Sequence, residues 1–168
     1  MNFSLEIGLK TDLKTLPKIK DVYITFLQGE QYKDVAVKAK ELVALGKNPV
    51  PHFPARSIKN KNELKEYVKM CKGFGVKQVL VIGGSAQPIG DFHSSLHLFE
   101  TGLFEDFKIG IAGHPEGSPD ISDSDLEKAM TDKKPYADYI VTQWLMEASP
   151  IIDFVSKQTL PVHVGIAG

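Results

Sequence analysis

The sequence predicts an α/β protein built on parallel strands: an incomplete (β/α)8 TIM barrel, with about seven of the eight strands present. Three observations predict it. Short β-branched or aromatic runs alternate with amphipathic helical stretches along the whole chain. From the second strand onward the strand starts recur roughly every 30 residues, the size of one βα unit. Nearly every strand also ends in polar or glycine-rich sequence: Glu6, Thr25, His52, Gly83-Gly84-Ser85, His114-Pro115-Glu116 and Gln143. A barrel gathers all its strand ends on one rim, whereas a doubly wound sheet concentrates its site at one or two switch-point loops.

The expected strands are Phe3 to Ile7, Val22 to Phe26, Pro49 to Phe53, Gln78 to Ile82, Lys108 to Ala112, Tyr139 to Thr142 and Val162 to Gly165. Each is a short β-branched or aromatic run bounded by turn formers. Helices are expected over Lys33 to Leu45, Lys61 to Phe74, Phe92 to Phe104, Asp125 to Ala129 and Pro150 to Lys157. Gly46 and Gly75 stand where a left-handed C-terminal cap needs glycine. Leu64, Val68 and Cys71 recur at i, i+4 and i+7, which puts the thiol on the apolar stripe of its helix as a core residue. Ser124-Asp125-Leu126-Glu127 reads as a capping box.

Composition bounds the function. Of 168 residues, 42% are hydrophobic and 24% charged, with 20 basic against 21 acidic side chains, as in ordinary globular proteins. A formal charge of -1 leaves no cationic surplus for a phosphate backbone or an anionic membrane surface, so neither nucleic acid nor membrane is an expected partner. The apolar runs are far shorter than a bilayer span needs, and the first ten residues lack a signal peptide's apolar stretch. A single cysteine forms no internal disulfide, and a cytoplasmic setting follows.

Several residues could carry chemistry. Glu6 shares a strand face with Ser4, and a carboxyl desolvated at a barrel mouth would have a raised pKa suited to acid catalysis; a strand-end salt bridge is the alternative. His52 and Arg56 are held among three prolines, an arrangement suited to a polar or anionic ligand or to a structural histidine. Gly83-Gly84-Ser85 could let a phosphate or flavin approach the backbone, or simply make a tight turn. His114 to Pro119 forms a rigid, shaped loop. Gln143 offers a neutral amide to a heterocycle edge, with Trp144 as a pocket wall, unless both only finish the strand. Metal ligation is not expected, since Cys71 has no CxxC partner, and no GxSxG elbow supports a hydrolase.

FSLE, YITF, PVPHFPAR, VLVIGGS, IGIAGHPEGSP, ADYIVTQ and the terminal PVHVGIAG, in this order, resemble methylenetetrahydrofolate reductases. The resemblance implies a barrel holding FAD, reduced by NAD(P)H, that passes hydride to 5,10-methylenetetrahydrofolate and yields 5-methyltetrahydrofolate. It implies Glu6 as the general acid and Thr25, Phe26, His52, Gly84, Ser85, His114 and Ser118 as flavin-site positions. Lys133 or Lys134 would approach the FAD diphosphate, and Gln143 would hold the pterin. The chain departs from the family at Gly83-Gly84-Ser85, where Arg-Gly-Asp is common, at His114, where tyrosine is common, and at Ser118, where histidine is common. The alternatives are a folate-binding methyl-transfer or demethylation protein on the same barrel and a non-catalytic fragment. The expected unit is one domain over residues 1–168, C-terminally truncated within its barrel, with homo-oligomerisation open.

Overall fold

The computed structural model describes residues 3–118 and 121–166. The chain divides into two units, Met1–Lys108 and Ile109–Gly168. All seven expected strands form, and where their pairing is described it is parallel. The α/β class read from the sequence is therefore correct.

The first unit contains β1 (Ser4–Ile7), β2 (Asp21–Ile24), α1 (Tyr32–Ala44), β3 (Asn48–Pro54), α2 (Lys61–Gly73), β4 (Gln78–Ile82) and α3 (Ser95–Phe99). Strands β1 to β4 pair in chain order, with Glu6 opposite Tyr23, Tyr23 opposite Val50, and His52 opposite Leu80. Parallel neighbours point the same way and side chains alternate along a strand, so Glu6, Tyr23, Val50, His52 and Leu80 share one face. The other face carries Val22, Ile24, Phe53 and Val81, all buried. Helix α1 buries Val35, Ala36, Ala39 and Leu42, and α2 buries Leu64, Tyr67, Val68 and Cys71, the stripe expected from spacing. Phe53 stacks on Tyr67 with ring centroids 4.0 Å apart, which seats α2 on the sheet. Burial raises the Cys71 thiol pKa well above its ordinary value, as suits an inert core residue. Helix α2 starts at Asn60, whose side chain accepts from the N–H groups of Asn62 and Glu63, both at 3.0 Å. Gly46 and Gly75 end the two long helices with φ of +71° and +88°.

The third helix falls well short of expectation. The segment Phe92 to Phe104 forms only the five-residue α3. Phe99 closes α3 and Phe104 lies beyond it: the two rings meet at 6.1 Å, and Phe104 meets Phe53 at 5.2 Å, so tertiary packing overrides the local periodicity.

The second unit contains β5 (Lys108–Gly113), which opens on the last residue of the first unit, then α4 (Asp123–Lys133), β6 (Tyr139–Trp144), α5 (Ala148–Ser156) and β7 (Val162–Gly165). Strand β6 pairs with β5 and β7, with a register shift against β7 between Val141 and Trp144. The cap of α4 is Ser122 rather than Ser124: its hydroxyl accepts from Asp125 N at 3.2 Å and donates to the Asp125 carboxylate at 2.6 Å. The helix therefore starts two residues before the expected Asp125 and runs to Lys133. Asp138 locks β6 to β5 twice, its carboxylate accepting from Ile109 N at 2.7 Å and its N–H donating to Ile109 O at 2.8 Å.

Glycine is required in β5 by close approach. A Cβ on Gly110 would come within 2.6 Å of the Tyr139 ring, and one on Gly113 within 2.7 Å of the Ile140 and Phe154 side chains. Among the described residues no helix is long and apolar enough to cross a membrane.

Candidate functional site

In the first unit, polar groups gather where β1, β2 and β3 end. Glu6 Oε2 lies 3.7 Å from His52 Nε2. Because His52 is only 7% exposed, desolvation lowers its pKa to about 4, and the imidazole is neutral at pH 7. The Glu6 side chain keeps 61% exposure, yet partial desolvation still raises its carboxyl above the ordinary value. The pair is a carboxyl facing a neutral imidazole and not an ion pair. His52 Nε2 has no hydrogen bond among the described residues. The ring stands edge-on to Tyr23 at 6.2 Å, and the Tyr67 hydroxyl donates to the His52 carbonyl at 3.0 Å.

The neighbouring expected site residues have structural work. Thr25 donates to Ile7 O through both its N–H, at 2.9 Å, and its hydroxyl, at 3.2 Å, tying the end of β2 to β1. Phe26 is buried edge-on against Tyr67 at 6.1 Å. Arg56 donates through Nε to His93 O at 3.1 Å and through Nη1 to Gly84 O at 3.4 Å, so the guanidinium braces the Gly83-Gly84-Ser85 turn. Ser85 is exposed.

In the second unit, His114 and Gln143 follow the register pair Gly113 and Thr142, and the Gln143 amide nitrogen hydrogen-bonds His114 Nδ1. Desolvation lowers the His114 pKa, and the Lys133 charge lowers it further. Lys133, at the last turn of α4, is half-buried, and desolvation lowers its own pKa. Among the described residues no carboxylate pairs with Lys133. Lys134 opens the 3-10 turn that follows α4. Ser118 forms an isolated bridge with Ile121, and Pro119 lies outside the described residues. An open cavity of about 450 Å³ lies between Pro115 and α5, lined by Glu147, Ser149, Asp153, Phe154 and Lys157 among others.

Side chains that the sequence did not single out complete these sites. Tyr23 and Tyr67 brace His52, and Asp138 anchors β6; in each case the partner is distant in sequence. His93 and His97 have the i, i+4 spacing of potential ligands, a signal present in the sequence. His97 Nδ1 accepts from the His93 backbone N–H at 3.3 Å, and among the described residues no three His, Cys, Asp or Glu side chains converge as a metal-binding group.

The fold has counterparts among solved structures. A candidate lyase/mutase from Burkholderia cenocepacia superposes with a TM-score of 0.67 at 10% identity, over 90% of this chain and 62% of that one. Oxaloacetate acetylhydrolase, bound to the inhibitor 3,3-difluorooxalacetate, matches with a TM-score of 0.66 at 10% identity, over 88% and 59%. A candidate phosphonomutase from Burkholderia cenocepacia matches with 0.64 at 12%, over 90% and 71%. The chain thus spans about three fifths of the first two structures it matches. At these identities the likeness shows the fold. No protein-family profile matches the sequence.

These matches correct the likeness to methylenetetrahydrofolate reductases. The superposing structures are of lyase, mutase and acetylhydrolase description, and no support exists for FAD, for NAD(P)H and a tetrahydrofolate as partners, or for an oxidoreductase acting on folate. Some of the residues that carried the likeness have packing duties. The glycines of IGIAG admit the Tyr139 and Phe154 rings, the Asp of ADYIVTQ fastens β6, and its Thr142 hydroxyl accepts from Gly165 N at 2.9 Å. Strand-end motifs of this kind answer to the fold before they answer to a cofactor.

Proposed function

We propose that this chain carries the substrate-anchoring part of a lyase or mutase acting on a small molecule with carboxylate or phosphonate groups, bound at His114, Lys133 and Gln143. The barrel class expected from the sequence belongs to the same reading. The observation that carries it is Lys133: a desolvated ammonium beside a neutral imidazole, with no carboxylate paired among the described residues. A cation in that position is uncompensated until an anion arrives. The names of the matched structures agree in chemistry, since oxaloacetate acetylhydrolase is seen with 3,3-difluorooxalacetate and with its product oxalate.

The division of labour follows. Lys133 neutralises a carboxylate or phosphonate, and His114, neutral at pH 7, hydrogen-bonds an adjacent oxygen without adding a second positive charge. Calorimetric titration with oxalate and with phosphonoacetate tests the assignment. Both anions should bind, and Lys133→Met should weaken them by about 10- to 100-fold, the worth of one hydrogen bond to a charged group. Equal binding by wild type and Lys133→Met, or no binding by either, overturns it.

A further inference from the structure

We infer that Gln143 is a positioning residue that holds His114 as its Nε2–H tautomer, making the imidazole a fixed hydrogen-bond donor toward a bound ligand oxygen. The donor role rests on the proposed anion site; the tautomer does not. The argument begins with the register. Gly113 on β5 pairs with Thr142 on β6, so the next residue of each strand, His114 and Gln143, are side by side. The register shift between Val141 and Trp144 and the bond from Gly165 N to the Thr142 hydroxyl fix the backbone from which Gln143 extends.

It is the amide nitrogen of Gln143 that faces His114 Nδ1. With the amide NH2 donating, Nδ1 accepts, and the single proton of a neutral imidazole then sits on Nε2. Protonating Nδ1 would set two donors against each other, and Lys133 adds its positive charge to the same penalty. Two neighbours from different elements, Gln143 on β6 and Lys133 on α4, therefore favour one protonation state of one residue. A ligand oxygen meeting Nε2–H finds a donor whose orientation is already set, which avoids reorganisation when charge develops on that oxygen.

Long-range imidazole 1H–15N correlation spectra of the labelled protein read the tautomer directly, with His114 assigned by loss of its signals in His114→Asn. At pH 7 the expected pattern is an unprotonated Nδ1 and a protonated Nε2. Gln143→Glu supplies an acceptor in place of the donor; it should move the proton to Nδ1 and raise the His114 pKa by about one unit or more. Gln143→Leu removes the donor at similar size and should give a mixture of tautomers. An Nδ1–H tautomer in the wild type, or spectra unchanged in both variants, overturns the inference. Adding oxalate separates the two readings. Binding that shifts the Nε2–H resonance supports the donor role, and binding that leaves it unmoved overturns that role. Failure of oxalate to bind overturns the anion site and the donor role with it, while the tautomer result stands or falls by itself.

Discussion

Glu6 Oε2 sits 3.7 Å from His52 Nε2, yet the contact is carboxyl to neutral imidazole, because burial holds the histidine's pKa near 4 while its partner keeps one side in water. Opposite charges at that distance would move the two pKa values apart, the acid down and the base up. Desolvation moves both the other way, so here burial outweighs attraction.

That balance predicts a pH-dependent stability. The folded-state pKa of His52 is about 4 against an ordinary 6.5. Between those values the unfolded chain takes up a proton that the folded chain refuses, so the contribution is complete above pH 6.5 and is lost as pH falls towards 4. The loss should reach about 3 kcal/mol. Urea unfolding at several pH values should show it in the wild type and show it reduced in His52→Asn. Equal pH slopes in the two proteins would remove His52 as the cause.

Tyr67 supports the same residue from the helix side. Tyr67→Phe keeps the stack on Phe53 and loses the hydroxyl that donates to the His52 carbonyl, so it should cost about 1 kcal/mol. Tyr67→Ala should cost about 3–5 kcal/mol, because the ring is fully buried. Thermal unfolding of the pair separates the hydrogen bond from the packing, and similar losses in both would contradict this division.

Gly113→Ala should destabilise by about 1–3 kcal/mol, since the added methyl meets the Phe154 ring at 2.7 Å. Phe154→Leu in the same chain should recover part of that loss, and a double-mutant cycle measures the recovery. Strict additivity would show that the glycine serves something other than this contact.

Thr142→Val should cost about 1 kcal/mol and speed amide exchange at Gly165, whose N–H loses its acceptor. Exchange at Ile140, which donates to Pro161 O, should change less.

The class and the strands were legible because both depend on local chemistry. The runs at Gln78 to Ile82 and Val162 to Gly165 form strands over the expected residues, and the spacing of Leu64, Val68 and Cys71 correctly identified the buried stripe of α2. Phe92 to Phe104 was misread because Phe104 is recruited by Phe53, about fifty residues away, which no local window contains. The candidate site was legible in part. Glu6, His52, His114, Lys133 and Gln143 were named, but the sequence could not pair Gln143 with His114, since that pairing is a matter of register. Chemical identity was misread because Gly, Pro, Asp and Thr at strand ends satisfy backbone and packing demands common to many reactions.

The fit of the Tyr139 ring into the space over Gly110 also bears on how this sequence can drift over time. Each residue is permitted by the other: a larger side chain at 110 is admissible only once 139 has shrunk, and shrinkage at 139 alone leaves a hole. The two positions thus behave as a single heritable trait written in two places, and neutral change at either must pass through its partner first.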